Sequence, residues 1–260
     1  MQNSSTQNSS TQPLIIAHRG ARGEAPENTL AAFRLGLAQG CTGIELDVHL
    51  SKDGEIIVCH DDTVNRTTDG TGAIRGMTVS ELKQLDAGAW FGEAYRGERI
   101  PLLSEVFELT PPDVMINVEI KESYGRRLEP ALLELLIKYG RIDSTVVSSF
   151  DHKSLLYLKL LEPRVKIGLL YDINAVRHAD LARFMNVPVY SLHPRFKRLS
   201  AEETQDAIRQ GLQVYPFTIN DEAQMSLALD YGVSGIITDY PERLRLLMER
   251  RSAVPEGSGV

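Results

Sequence analysis

The chain has 260 residues, 42% of them hydrophobic, enough apolar material for one large α/β core or two small domains. A formal charge of -7, with Lys and Arg scattered singly, argues against a nucleic-acid groove, because neutralising a phosphate backbone takes clustered cations; a small charged substrate stays allowed. Two cysteines, Cys41 and Cys59, exclude a disulfide scaffold, and no run approaches the roughly 18 unbroken apolar residues of a membrane span.

The first twelve residues, MQNSSTQNSSTQ, repeat QNSST and have almost nothing to bury, so residues 1–12 are expected to form a disordered tail. They hold no basic n-region or apolar h-region, which makes the cytoplasm the expected location, with no stable membrane insertion. From Leu14 onward, short β-branched runs alternate with helical periodicity. The order is strand Leu14–Ala17, helix Glu27–Gln39 behind the capping pair Asn28-Thr29, and strand Gly43–Val48. The stretch Ile56–Arg99 then breaks the rhythm with a short run, Ile56–Cys59, and a Gly- and Thr-rich segment. Helix Ser104–Leu109 and strand Met115–Ile120 restore it, followed by helix Arg126–Tyr139, strand Thr145–Ser149, helix His152–Leu161 and strand Val165–Leu169. Helix Asn174–Phe184, strand Val189–Leu192, helix Ala201–Gln210, strand Gln213–Phe217, helix Asp221–Tyr231, strand Gly235–Thr238 and helix Pro241–Glu249 complete the series. Eight β/α repeats in about 250 residues point to a (β/α)8 TIM barrel over residues 13–250, with a small insertion after the second strand. Residues 251–260 are expected to be a flexible tail.

Side chains two apart on a strand share a face, so Glu45 and Asp47 point one way while Ile44, Leu46 and Val48 point the other. In a barrel the apolar set meets the helices, leaving the carboxylates inside near the C-terminal end of the strand, where barrel active sites are assembled. The same parity puts Asn117, Glu119 and Lys121 inside. Three converging carboxylates must take up protons, pair with cations or bind a metal, and one lysine cannot balance them. A hard cation is the simplest solution: Mg2+ or Ca2+, with Mn2+ also compatible. His18 and Arg19 follow the first strand directly, before Gly20. A guanidinium there suits two phosphate oxygens, and an imidazole moves protons near neutral pH. His60 ends the run IIVCH and would face His18 if that run returns to the rim. His49, His152 and His178 are expected on the solvated surface, Trp90 and Phe91 as packing of the insertion onto the barrel, and Cys59 buried behind the sheet.

The segments HRG, PENT, GIELDVHLSKDGEIIVCHDDTVNRTTDGTG and VEIK, in this order and spacing, resemble the glycerophosphodiester phosphodiesterase family, from Leu14 to about Leu247. The resemblance implies an insertion from roughly Asp61 to Arg99 and hydrolysis of substrates such as glycerophosphocholine or glycerophosphoethanolamine to glycerol 3-phosphate and an alcohol. It implies a divalent metal on Glu45, Asp47 and Glu119, acid–base catalysis by His18 and His60, and phosphate contacts from Arg19 and Lys121. Ser149-Phe150, His193 and Thr238-Asp239 also match, making Phe150, His193 and Phe217 candidate substrate contacts. Where many members carry Trp-Thr-Val-Asn, this chain reads Phe217-Thr218-Ile219-Asn220, which keeps an apolar ring and loses the indole donor. A lysophospholipase D-like activity would call for a wide apolar mouth or a membrane-binding stretch, and neither is evident. A barrel that binds phosphodiesters without catalysis would show a missing ligand or histidine, and none is missing. Which histidine is the acid, whether water or a glycerol hydroxyl attacks, and the oligomeric state stay open.

Overall fold

Continuous β-branched runs buried on both faces form parallel ladders, provided helices cover the outer face. In the computed structural model, which describes residues 12–253, the strands are β1 (Leu14–His18), β2 (Gly43–Leu50), β3 (Ile56–Val58), β4 (Met115–Ile120) and β5 (Thr145–Ser149). They continue as β6 (Lys166–Tyr171), β7 (Ser191–Pro194), β8 (Gln213–Val214) and β9 (Gly235–Thr238). Eight pair in parallel in the order β8-β7-β6-β5-β4-β2-β1-β9, while β3 folds back antiparallel onto β2, opposing Val58 to Val48. No regular ladder joins β8 to β9. Pro216 has no N–H to extend one, and single bonds close the barrel instead: Ser234 N to Val214 O at 3.0 Å and Ile237 N to Pro216 O at 3.1 Å. The chain is thus a (β/α)8 barrel as expected, though the strand expected over Gln213–Phe217 is regular only at its start.

The helices are α1 (Leu30–Ala38), α2 (Val79–Leu82), α3 (Leu103–Leu109), α4 (Leu128–Lys138) and α5 (His152–Leu161), then α6 (His178–Phe184), α7 (Ala201–Arg209), α8 (Glu222–Asp230) and α9 (Pro241–Ala253). Thr29 caps α1 by accepting from Ala32 N at 3.2 Å, so the helix starts three residues later than the periodicity suggests. Helix α9 runs to Ala253, beyond the boundary expected at residue 250. Residues 1–11 of the tail expected over 1–12, and the part of the C-terminal one past Ala253, lie outside the described residues. Among the described residues no helix is long and apolar enough to cross a membrane.

Strand parity sorts the core into three parts. Ile44, Leu46, Val48, Ile116, Val118 and Ile120 pack outward with Leu103, Leu132 and Leu136 of the helices. Inside, Ile16, Tyr215 and Ile237 plug the barrel below its mouth. Strand β3 is a shared wall: Ile56 and Val58 belong to the main core, whereas Ile57 and Cys59 join Val64, Ile74, Leu82, Ala87 and Ile100 in a separate core under the insertion. Cys59 is therefore buried as expected, but beneath the insertion, where desolvation pushes its thiol up to about 12. Trp90 is 41% exposed and meets Phe91 edge-on, which does the same with Tyr95, whose hydroxyl donates to Glu24 O at 2.8 Å and so ties the trio to the loop that follows β1.

Three histidines expected on the surface are not there. His49 is buried and points inward with Glu45 and Asp47 on alternate positions of β2, its Nδ1 2.5 Å from the Tyr124 hydroxyl. His178 is buried with Nδ1 2.9 Å from the Tyr171 hydroxyl, and His152, half-buried, donates from Nε2 to Leu170 O at 2.9 Å. An imidazole enters a core readily once it finds partners, and here these come from elements that local sequence does not reveal.

Candidate active site

The parallel register of β2 and β4 sets Asp47 beside Glu119 and Glu45 beside Asn117. All three carboxylates are buried, and one oxygen from each lies within 4.8 Å of the others. The side chain of Lys121 returns over them, with Nζ 2.6 Å from Glu119 Oε1 and 3.4 Å from Asp47 Oδ1. Arg19 contributes its backbone N–H to Glu45 Oε2 at 3.1 Å and brings Nε to 3.2 Å from Asp47 Oδ2. The latter is a charge contact rather than an aligned hydrogen bond, for Arg19 Nε has no hydrogen-bond partner in the protein. Asn28 donates from Nδ2 to the same Asp47 oxygen at 2.9 Å.

Two cations against three carboxylates leave a deficit, and it shows in the proton affinities. Burial, joined by the charges of Asp47 and Glu119, raises Glu45 well above the ordinary carboxylate range. Burial and Asp47 push Glu119 up to about 7, despite Lys121. Asp47 alone is held below its usual value, since Arg19 and Lys121 outweigh its desolvation. Two buried acceptors, Asn28 Oδ1 and Asn117 Oδ1, also lack a protein partner. Surplus negative charge on oxygen donors, with no thiolate or imidazole among them, fits a hard divalent cation and not a zinc-type structural site.

Both histidines expected to act on protons reach the same mouth. His18 Nδ1 is 2.6 Å from Asp239 Oδ1, and His60 Nδ1 is 2.7 Å from Asp61 Oδ1. A carboxylate can only accept, so each Nδ1 carries a proton and each Nε2 is the ring nitrogen left free. Burial lowers both imidazoles from their ordinary value, against the pull of Asp239 on His18 and of Asp47 on His60. The turn that presents His18 is tight. Arg19 and Gly20 both take positive φ, 54° and 80°, and a Cβ on Gly20 would lie 2.5 Å from the Ala32 backbone. Asn28 also sits at positive φ, 57°, outside α1, which lets its side chain reach Asp47.

Behind the histidines runs a charged chain that ties the insertion to the barrel. Glu27 accepts from Arg19 Nη1 at 2.8 Å and from Arg66 Nη1 and Nη2 at 2.9 and 2.8 Å. Arg66 in turn donates from Nε to Asp61 Oδ2 at 2.8 Å, completing a path from His60 to Arg19. His49 adds a second hold, donating from Nε2 to the His60 carbonyl at 3.2 Å.

The mouth forms a cavity of about 430 Å³ whose wall includes His18, Arg19, His60, Glu119, Lys121, Phe150 and Phe217, with Glu45 and Asp47 buried beneath. Arg22 and Arg195, which the sequence did not mark, line it too, as do Thr218, Asn220 and Asp239, whose motifs match the family but to which the sequence assigned no role. The role of Asp239 could have been read from a carboxylate directly after the last strand, and those of Glu27 and Asn28 from the polar centre of PENT. Arg66 had no comparable signal. His193 is a correction: it is fully buried below the mouth, 2.8 Å from Ser191 Oγ and edge-on to Tyr215, and does not reach the cavity wall. Desolvation lowers it to about 3, so it stays neutral. A larger cavity, about 530 Å³, lies beside β1 and α9 around Gln12 and Glu249, away from the carboxylate trio and both catalytic candidates.

Residues 18–243 match a family model described as the glycerophosphoryl diester phosphodiesterase family. A glycerophosphodiester phosphodiesterase of Caldanaerobacter subterraneus subsp. tengcongensis is 43% identical over 242 residues, covering 91% of this chain and 98% of the relative. Among solved structures, a phosphodiesterase of Oleispira antarctica in complex with the product sn-glycerol-3-phosphate is similar at a TM-score of 0.85 and 34% identity, covering 91% of this chain and 97% of that one. A human lysophospholipase D is 28% identical over 281 residues, covering 92% of this chain and 87% of the relative.

Proposed function

The chain belongs to the glycerophosphoryl diester phosphodiesterase family and is a phosphodiesterase for glycerophosphodiesters, and from that premise we propose a metal-dependent, two-histidine hydrolysis to glycerol 3-phosphate and the free alcohol. The observation that carries the mechanism is the matched pair of carboxylate-backed histidines, His18 with Asp239 and His60 with Asp61, on one cavity above the buried trio. Glu45, Asp47 and Glu119 would hold Mg2+, Ca2+ or Mn2+, which when bound supplies charge neutralisation and polarisation of a phosphate oxygen.

Arg19 and Lys121 neutralise the rest of the charge that spreads over the phosphoryl oxygens during displacement, Lys121 from the cavity wall and Arg19 through the part of its fork not engaged by Glu27. One Nε2 takes the proton of the attacking oxygen. The other, protonated, gives one to the departing alcohol. Attack by water and attack by a neighbouring glycerol hydroxyl through a cyclic phosphate make the same demand on this pair.

Glycerol 3-phosphate release from glycerophosphoglycerol and glycerophosphocholine, before and after chelation and with each metal restored, tests the metal site. Full turnover in chelated enzyme would overturn it. His18→Ala and His60→Ala should each lower turnover by about 10^2 to 10^4, the usual contribution of a general acid or base. A nitrophenyl ester, whose leaving group needs little protonation, should rescue only the variant that lacks the acid. Near-normal rates in both variants would end the two-histidine mechanism.

A further inference from the structure

In the closed ring of eight parallel strands, β7 and β8 lie four places from β2 and β4, so the cavity has a wall facing the carboxylate trio. That wall is set by backbone pairing. Arg195, just past β7, donates its N–H to Tyr171 O at 3.1 Å and pairs in parallel with Phe217, just past β8. The Arg195 guanidinium sits 6.0 Å from the centroid of the Phe217 ring, which meets Phe150 edge-to-face at a centroid distance of 6.0 Å. Its Nε is 2.7 Å from Asp172 Oδ2, while the other oxygen of Asp172 takes Arg198 Nε at 2.9 Å. One carboxylate shared by two guanidiniums leaves this wall positive.

An aromatic corner such as Phe150 with Phe217 would by itself attract a quaternary ammonium. Here the cation over Phe217 is already supplied by the protein, so a second one would be repelled. A hydroxyl or a carboxylate would instead find guanidinium N–H donors, and Thr218 on the same wall adds a hydroxyl. Arg195 lines the same cavity as Arg19 and Lys121, so with the phosphate on those two it is placed to meet an organic arm of the diester.

We propose that Arg195 is the residue that sets substrate preference, selecting glycerophosphodiesters whose arm on the β7–β8 side is a neutral polyol or an anion and disfavouring one that carries a quaternary ammonium. The inference rests on the phosphodiesterase reading of the same cavity. The test compares kcat/KM for glycerophosphoglycerol and glycerophosphocholine in wild type, Arg195→Met, Arg195→Lys and Arg195→Glu, with a thermal melt of each. Wild type should favour glycerophosphoglycerol by about tenfold, a difference of roughly 1.4 kcal/mol. Arg195→Met should bring the ratio near one, Arg195→Lys should keep most of the preference, and Arg195→Glu should reverse it. A wild-type ratio at or below one, or a ratio that stays put in folded Arg195→Met and Arg195→Glu, overturns the inference while leaving the phosphodiesterase reading intact. Wild-type enzyme inactive on both substrates with metal present overturns the parent reading and this one with it.

Discussion

Replacing Asp239 by Asn changes no volume, yet the surrounding hydrogen bonds dictate what the new amide does to His18. Asn220 cannot turn over, because its Oδ1 accepts the backbone N–H of residue 239 at 2.9 Å and the Thr238 hydroxyl at 3.3 Å. Its Nδ2 therefore keeps donating toward the position of Asp239 Oδ2, 2.7 Å away. The amide oxygen of Asp239→Asn must take that position, leaving the NH2 facing His18 Nδ1. Nδ1 then has to accept, and the proton moves to Nε2, the wrong tautomer for a base. The opposite orientation sets donor against donor at Asn220, at about 1–3 kcal/mol, the usual penalty for a buried group left without a partner. Arg22 Nε, 3.3 Å from Asp239 Oδ1, pulls toward that opposite orientation, but Arg22 is about a third exposed and can turn to water. The imidazolium also loses its negative partner. We expect kcat to fall by about 10^2 to 10^4, comparable with the loss seen when a triad Asp is made Asn. The melting temperature should move by no more than about 2–4 °C. Glycerol 3-phosphate formation and a melt on the same preparations decide the matter: kcat within about threefold of wild type, with an unchanged melt, would refute the tautomer argument.

Glu119→Gln should weaken divalent metal binding at least about tenfold by calorimetry, as removing an oxygen ligand does, without lowering the melt of metal-free protein, since it relieves repulsion from Asp47. Unchanged metal affinity with a lower melt would instead mark Glu119 as a structural partner of Lys121. Gly168→Ala should destabilise by about 1–3 kcal/mol in urea, because its Cβ would meet His193 Nε2 at 2.4 Å and Ser191 Oγ at 2.8 Å; wild-type stability would show that the interior below the mouth can shift. His193, lowered from 6.5 to about 3 in the folded protein, binds fewer protons there than in the unfolded chain. It therefore removes stability as pH falls through 6.5 toward 3, by roughly 2 kcal/mol between pH 7.5 and pH 5. His193→Gln should lose that slope, and urea curves for the two proteins that stay parallel over this range would contradict it.

The barrel was legible because each strand is a short apolar run bounded by helical periodicity, and that pattern survives burial on both faces. Its ends were less so. Helix α1 starts at Leu30 because Asn28 is used at positive φ to reach Asp47, and β8 stops early because Pro216 has no N–H to pair. The insertion gave a weaker signal for a physical reason: beside its small core, its turns are held by carboxylates accepting from backbone. Asp86 takes the N–H groups of Gly88, Ala89 and Gly97 at 2.9, 2.8 and 2.8 Å, bonds that leave no apolar period to read.

The carboxylate trio was visible for the same reason as the strands, since parity alone sends Glu45, Asp47 and Glu119 inward from β2 and β4. Parity cannot say what a side chain meets once inside. His49 shares the face of Glu45 and Asp47, but whether it belongs to catalysis or to packing is decided by Tyr124, 75 residues on in the chain. His193 likewise follows a strand and yet is taken out of the site by Ser191 and Tyr215. The orientation of His60 depends on a partner from the one segment with no strand or helix period. Arg66 lies in the insertion, and only the folded chain brings it between Asp61 and Glu27. Glu27 is buried and Arg66 is nearly half exposed, so the pair is anchored from the barrel side and the insertion is the part free to adjust. The insertion, with its own small core, thus also orients His60, through Asp61 and the Arg66 that holds it.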